Sequence, residues 1–236
     1  RSYDCVLQTG GSDQWGNLTS GVDLIHRSEG VSVHAIGTPL ITNSDGTKFG
    51  KSEGNAIWLD PTMCSPYAFY QFWLNTDDAD VATRLKVFTF LTRAEIEALE
   101  QKVADEPFRR EAQRRLAWEV TALVHGVDAA TAAIDASQAL FGQGELGALD
   151  AETLAAALRE LPNITAPAGL TVVQALVDTG LCSSLGEARR AVAQGGVSLD
   201  NVKVADEAST ITGALPGGVS VLRRGKKTLA GIFIEG

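Results

Sequence analysis

The chain has 236 residues, 44% hydrophobic and 21% charged, with 24 Gly, 7 Pro and a net charge of −9. That composition suffices for one large core or several small ones, excludes collagen-like and low-complexity classes, and argues weakly against a nucleic-acid binder. No apolar run nears the ~20 residues of a membrane helix, no charged-then-apolar leader is visible, and Cys5, Cys64 and Cys182 form no Cys-x-x-Cys pair. Neither a disulfide framework nor a protein-held metal is expected, and a reducing cytoplasm is.

In chain order, Cys5–Leu7 is a short apolar piece running into Gln8-Thr-Gly10-Gly11-Ser12-Asp13-Gln14-Trp15-Gly16. Its three glycines mark a backbone that turns tightly or is closely approached. Leu18 to His26 reads as a helix and Val31 to Ile36 as a strand, and Pro39 to Thr42 resumes an apolar piece. Strand, glycine turn, helix and strand is the rhythm of an α/β sheet with parallel strands. Residues 43 to 55 hold three glycines and one apolar residue, Phe49, which predicts a long loop without structure of its own.

From Pro66 to Phe141 the pattern is helical. Tyr67, Phe69, Tyr70, Phe72 and Trp73 read as core. Thr92 with Glu95 is a capping box. Pro107 is expected to start the next helix, His125-Gly126 to end it, and Asp128 to cap a third. Residues 142 to 147 are a break, a short Ala/Leu helix follows, and Leu161 to Gly169 looks like a linker. The tail has capping pairs Thr171/Gln174 and Ser184/Glu187 on two helices. Short alternating pieces follow at Val197/Leu199, Val202/Val204, Val219/Val221 and Leu229 to Ile234, with turns at Asp200-Asn201 and Arg224-Gly225. From Gly169 onward seven basic residues face six acidic ones, so the tail nets +1 and the preceding 168 residues −10. Arg189, Arg190, Arg223, Arg224, Lys226 and Lys227 make that tail the candidate anion-binding module, with a solvated turn as the alternative for Arg223–Lys227.

Two stretches carry chemistry. Lys48-Phe-Gly-Lys51-Ser52 puts two ammonium groups and a hydroxyl on a glycine-flexed loop. Such a loop can close over a phosphate chain and meet negative charge as pyrophosphate leaves, although Lys-x-x-Lys is also ordinary solvated surface. Gly10 and Gly11 let a ligand approach the backbone, where the next helix offers free N–H groups and its positive end. Asp13 can accept from a sugar hydroxyl or merely cap the helix, and Gln8 and Gln14 can serve a carboxyl or carbonyl group.

Together these stretches are more specific. Gly10-Gly-Ser-Asp-Gln-Trp-Gly-Asn17 closely resembles the bacterial-type tyrosyl-tRNA synthetases. Asp45-Gly-Thr-Lys-Phe-Gly-Lys-Ser52 resembles the Lys-Met-Ser-Lys-Ser signature of class I aminoacyl-tRNA synthetases. Ser65-Pro-Tyr-Ala-Phe-Tyr-Gln-Phe-Trp73 is similar to the start of that family's helical domain. The tail from Thr171 resembles a small RNA-binding domain shared with a ribosomal protein. The resemblance runs over nearly the whole chain, but the family's early His-Ile-Gly-His-like element is missing and Arg1 is no initiator Met. The chain therefore reads as a C-terminal part of the enzyme, inactive alone.

The resemblance implies an α/β fold in three parts. These are a partial Rossmann-like parallel-sheet nucleotide-binding domain (1–65), an all-α anticodon-binding domain (66–142), and, after a connector (143–168), a small α+β RNA-binding domain (169–236). It implies ATP-dependent activation of tyrosine to tyrosyl-adenylate and transfer to tRNA(Tyr). Gly10, Gly11, Asp13 and Lys51 would bind ATP or adenylate, Gln8 and Gln14 the tyrosine side, and Lys48, Lys51 and Ser52 would act in catalysis. Mg2+ would arrive with ATP and has no protein ligand here. The full-length protein would be a cytoplasmic homodimer. A non-catalytic RNA-binding protein and a ligase for another amino acid remain as alternatives.

Overall fold

Leu7–Gly11 (β1) and His34–Thr38 (β2) pair in parallel, in register from Leu7 opposite His34 to Gly11 opposite Thr38. A parallel pair needs a crossover, and Trp15–Glu29 (α1) supplies it after a 3-10 turn at Ser12–Gln14. Two strand glycines face this helix at contact distance. A Cβ on Gly10 would lie 3.4 Å from Leu18 Cδ2, and one on Gly37 would lie 3.4 Å from the Trp15 ring. Leu18 is buried there. The helix stops at Gly30, whose left-handed φ of 70° lets its N–H reach His26 O at 2.9 Å. The computed structural model describes residues 3–44, 46–47, 49–50, 57–141, 144–225 and 228–235. It divides into two compact units, Arg1–Ala56 and Ile57–Gly236.

Two expectations in the first unit are corrected. The second strand begins at His34, not Val31, because residues 30–33 follow the helix cap and register is set where His34 N–H meets Val6 O at 2.8 Å. The stretch after it is not wholly without structure. Asn43 N–H donates to Thr47 O at 2.8 Å, Gly46 N–H to Asn43 O at 2.9 Å, and Phe49 N–H to Ile41 O at 3.1 Å. These bonds close a turn with two arms.

In the second unit the aromatic run forms Pro66–Leu74 (α2), opened by Ser65, whose side chain accepts from Ala68 N–H at 3.1 Å. Tyr67, Phe69, Tyr70 and Trp73 are buried, while Phe72 is half-buried. Glu111–His125 (α5) and Val127–Leu140 (α6) pack on α2, and Asp78–Phe88 (α3) and Arg93–Asp105 (α4) pack on α5. The capping box at Thr92 is complete, Glu95 returning a carboxylate oxygen to Thr92 N–H at 2.8 Å. Pro107 does not open α5. It begins a 3-10 turn, and Arg110 at φ 52° redirects the chain into the helix. Nor does Asp128 cap α6, because Gly126 at φ 92° starts it and Asp128 sits in its first turn. Buried Ala130, Ala133, Ala136 and Ala139 give α6 a small-residue stripe that permits close packing on α2 and α5. Ala151–Arg159 (α7), capped by Asp150, packs against both α2 and α6.

The tail builds a five-stranded sheet in the order β3-β7-β6-β4-β5. Its strands are Asn163–Ala166 (β3), Val197–Leu199 (β4), Val202–Lys203 (β5), Val219–Arg224 (β6) and Thr228–Ile234 (β7). The linker expected at 161–169 is therefore partly strand. Its backbone is taken up by β7, with Gly231 N–H on Pro162 O at 2.9 Å and Glu235 N–H on Ala166 O at 3.0 Å. Val172–Asp178 (α8) and Leu185–Ala193 (α9) cover the sheet over a core including Val172, Leu176, Val192, Leu222 and Ile232. The expected turn at Asp200-Asn201 is present, both residues left-handed at φ 51° and 65°.

Candidate functional site

Ligands of parallel α/β sheets bind beyond the carboxyl ends of the strands. In the first unit that place is Gly11, the 3-10 turn and the start of α1. Neither the turn nor α1 has a side-chain cap, so Asp13 is not the helix cap, and the first N–H of α1, that of Trp15, donates to Ser12 O of the turn before it. Asp13 folds back over Gly11 instead, its Oδ1 2.7 Å from where a Gly11 Cβ would stand. The missing side chain is thus what lets the carboxylate lie against the strand end. Gln14 sits one residue on, its Oε1 accepting from Asn17 Nδ2 at 2.8 Å. Gln8 lies along α1, its Oε1 2.7 Å from where a Gly21 Cβ would stand. Thr38 Oγ1 donates to Gly10 O at 3.3 Å and ties the two strand ends. Gly10, Gly11, Asp13 and Gln14 therefore share one strand end. Gln8 is three residues back from it, against the helix.

Lys48, Lys51 and Ser52 lie outside the described residues, as do Lys226 and Lys227. Of the residues next to them in sequence, Phe49 N–H donates to Ile41 O and Gly50 is left-handed at φ 72°. Both follow the carboxyl end of β2. Among the described residues no group of three His, Cys, Asp or Glu side chains could hold a metal.

The tail's cations divide into two kinds. Arg224 donates to Leu181 O at 2.5 Å and to Glu187 Oε1 at 2.7 Å. Glu187 also accepts from the Ser183 hydroxyl and N–H, both at 2.7 Å. Those Ser183 bonds, and then Arg224, hold its carboxyl down at about 2. Arg223 Nη2 donates to Leu140 O at 2.6 Å and to Asn201 Oδ1 at 2.7 Å. Both guanidinium groups are engaged inside the protein, which the run of basic letters does not reveal. Arg189 meets Glu207 only at 3.6 Å between exposed side chains, and Arg190 makes no ion pair among the described residues. Exposed Lys203 on β5 is a further cation that the sequence reading passed over.

The helical bundle holds a groove of about 490 Å³ whose lining includes Tyr70, Gln71, Asn75, Arg110, Arg114 and Phe141. Arg110 is held there by Leu74 O at 2.7 Å and Thr76 O at 3.2 Å. Arg114 is exposed at its rim. The four-residue spacing of these arginines was the available signal. Among the described residues no helix is long and apolar enough to cross a membrane.

Residues 2–142 match the family model "tRNA synthetases class I (W and Y)". Residues 153–231 match "Tyrosine--tRNA ligase SYY-like C-terminal domain". The tyrosine–tRNA ligase of Leifsonia xyli is 70% identical over 237 residues, covering 100% of this chain and 54% of that protein. That of Streptomyces avermitilis is 56% identical over 239 residues, covering 100% and 57%. A solved C-terminally truncated mitochondrial tyrosyl-tRNA synthetase of Aspergillus nidulans is 37% identical over 55% of this chain and 37% of that chain, with a TM-score of 0.47. The chain spans about half the length of the curated relatives it matches. With its glycine turn at the carboxyl end of a parallel strand, this chain belongs to the class I tRNA synthetases of the tryptophan and tyrosine type.

Proposed function

We propose that the protein is a tyrosine–tRNA ligase. The observation that carries the choice of tyrosine over tryptophan is the tail, whose match is to a tyrosine–tRNA ligase C-terminal domain. The 70% identity along the whole chain supports it. In the first step the tyrosine carboxylate attacks the α-phosphorus of ATP and pyrophosphate leaves. In the second a ribose hydroxyl of tRNA(Tyr) attacks the tyrosyl carbonyl and AMP leaves.

Gly11 admits the nucleotide to the backbone, and Asp13 accepts from its ribose hydroxyl. The positive end of α1 favours the α-phosphate. Gln14 and Gln8 orient the tyrosine carboxyl by hydrogen bonds. Lys48, Lys51 and Ser52 close over the β- and γ-phosphates. The charge they meet grows on the leaving pyrophosphate, so their contact strengthens toward the transition state. Mg2+ bound to the phosphates would supply further charge neutralisation, and Asp13 is the one carboxylate described at this strand end, too little to build a protein-held site.

On this reading residues 1–65 are catalytic, 66–142 bind the anticodon side, 143–168 connect, and 169–236 grip RNA. The exposed cations Arg189, Arg190 and Lys203 face the phosphates, and Lys226 and Lys227 join them. The complete protein works as a cytoplasmic homodimer. ATP–pyrophosphate exchange by the complete protein with a panel of amino acids tests the reading. Exchange that depends on tyrosine alone is expected. Exchange with a different amino acid overturns the specificity, and tRNA binding without exchange reduces the protein to an RNA binder.

A further inference from the structure

Among the described residues the tail sheet meets the helical bundle at α7 and at the end of α6. The first is α7, which runs straight into β3. There Leu158 packs on Gly231, close enough that a glycine Cβ would come within 2.8 Å, and Ala151 packs on Gly217. Arg159 lies over the Phe233 ring at 5.7 Å. An attachment along one helix leaves rotation about that helix available.

The second place is the end of α6. Helix ends leave carbonyls without partners. Here the Phe141 N–H bends back to the 137–139 carbonyls, and the tail brings donors of its own. Arg223 Nη2 reaches Leu140 O at 2.6 Å and Asn201 Nδ2 reaches Ala139 O at 3.3 Å. A guanidinium is suited to the negative end of a helix. Each donor is aimed by the tail's own structure. The left-handed Asp200-Asn201 turn projects Asn201 from between β4 and β5. The Asp200 carboxylate holds that turn to β6 by accepting from Val221 N–H at 2.7 Å and Ser220 Oγ at 3.2 Å. Arg223, on β6, then bonds Asn201 Oδ1 at 2.7 Å, so the two donors act together. Neither belongs to the tail's apolar core.

We propose that Arg223 and Asn201 are positioning residues, a polar clamp on the last turn of α6 that fixes the orientation of the tail sheet against the helical bundle. The proposal rests on the RNA-binding reading for its purpose. Two surfaces held at a fixed spacing engage one RNA as a single bivalent unit, and a loose tail loses that gain in effective concentration. This places Arg223 beneath the RNA surface, acting through orientation.

The test uses two variants that remove the clamp differently. Arg223→Gln removes a charge. Asn201→Gly removes only the amide and keeps a residue at ease with φ 65°. Spin labels go on Glu97→Cys in α4 and Ala208→Cys in the tail, both exposed, with Cys5 and Cys64 changed to Ser. The parent is expected to give one narrow distance distribution, broadened in each variant. In the complete protein both variants are expected to weaken binding to tRNA(Tyr) similarly, by roughly 10²-fold, and the double variant hardly more. Unchanged distances in both variants overturn the clamp. Broadened distances with unchanged affinity overturn its positioning role. A loss confined to Arg223→Gln, with the salt dependence reduced by about one phosphate contact, makes Arg223 a direct RNA ligand and overturns it too. If the parent itself binds no tRNA, the RNA reading fails, and the distance measurement alone decides the clamp.

Discussion

Gly11→Ala separates binding chemistry from stability in opposite directions. Gly11 has φ −66° and ψ 156°, a backbone open to any residue. Alanine there restricts the unfolded chain, which stabilises by about 0.4–1 kcal/mol where no clash opposes it. The new Cβ lies 3.4 Å from Leu40 Cδ2, ordinary contact, but 2.7 Å from Asp13 Oδ1. Something must move, and the end of the Asp13 side chain moves most easily. A carboxylate displaced from the ribose loses a hydrogen bond involving a charged group, worth about 1.5–3 kcal/mol. That corresponds to a fall in kcat/KM for ATP of roughly 10- to 150-fold. Pyrophosphate exchange across ATP concentrations measures the fall in the complete protein, and urea denaturation measures stability. The expected pattern is reduced exchange in a protein at least as stable as its parent. Full activity would show that Asp13 need not lie over Gly11. A loss of stability matching the loss of activity would show that the strand end itself is distorted, and the ribose argument would fail.

Lys51→Ala in the complete protein is expected to slow single-turnover adenylate formation at saturating ATP by roughly 10²–10³-fold, as for other preorganised electrostatic donors, with a smaller effect on ATP affinity. A normal rate with only weakened ATP binding would reduce Lys51 to a binding residue. Glu187→Gln should lower thermal stability at neutral pH, and the gap from the parent should close on acidification. The folded carboxyl titrates at about 2, below its ordinary 4.5, so its contribution is present above the ordinary value and is lost as pH falls toward 2. A gap that stays constant down to pH 2 would contradict this. Asp80→Ala removes the carboxylate that Arg84 meets at 3.2 Å, both side chains being about 10% exposed. Breaking a buried pair costs about 3–5 kcal/mol in urea denaturation, and a change below 1 kcal/mol would mean that the other partners of Arg84, Thr76 at 2.9 Å among them, suffice.

Local signals carried most of the architecture in the sequence. Thr92 and Glu95 declare a helix start because both halves of their contact lie within one turn. Gly126 marks a boundary because it stands at positive φ, whereas the helix read as ending at His26 runs on to Glu29 before Gly30 stops it. The misreadings arose where a distant partner decides. Asn163–Ala166 alternates polar and apolar over only four residues, between Pro162 and Pro167, and is extended because β7 completes its hydrogen bonds. His34 begins β2 because Val6 lies opposite. The strand-end site was legible since Gly10 to Gln14 are contiguous. The inward commitment of Arg223 and Arg224 was not, because Leu140 and Leu181 are 83 and 43 residues away.

The position of β7 bears on how the protein is made. β7 lies between β3 and β6, joining the sheet's earliest strand to the rest. β3 leaves the ribosome directly after α7, yet its partner is about 60 residues further on, roughly 3–12 s later at ordinary elongation rates. Until then β3 is an unpaired strand attached to a helical bundle whose sequence has already emerged, and α8 and α9 cover an unfinished sheet. A stop codon or a nick before Thr228 would therefore remove the bridge between two parts of one sheet. The tail is a module whose closing step waits for β7.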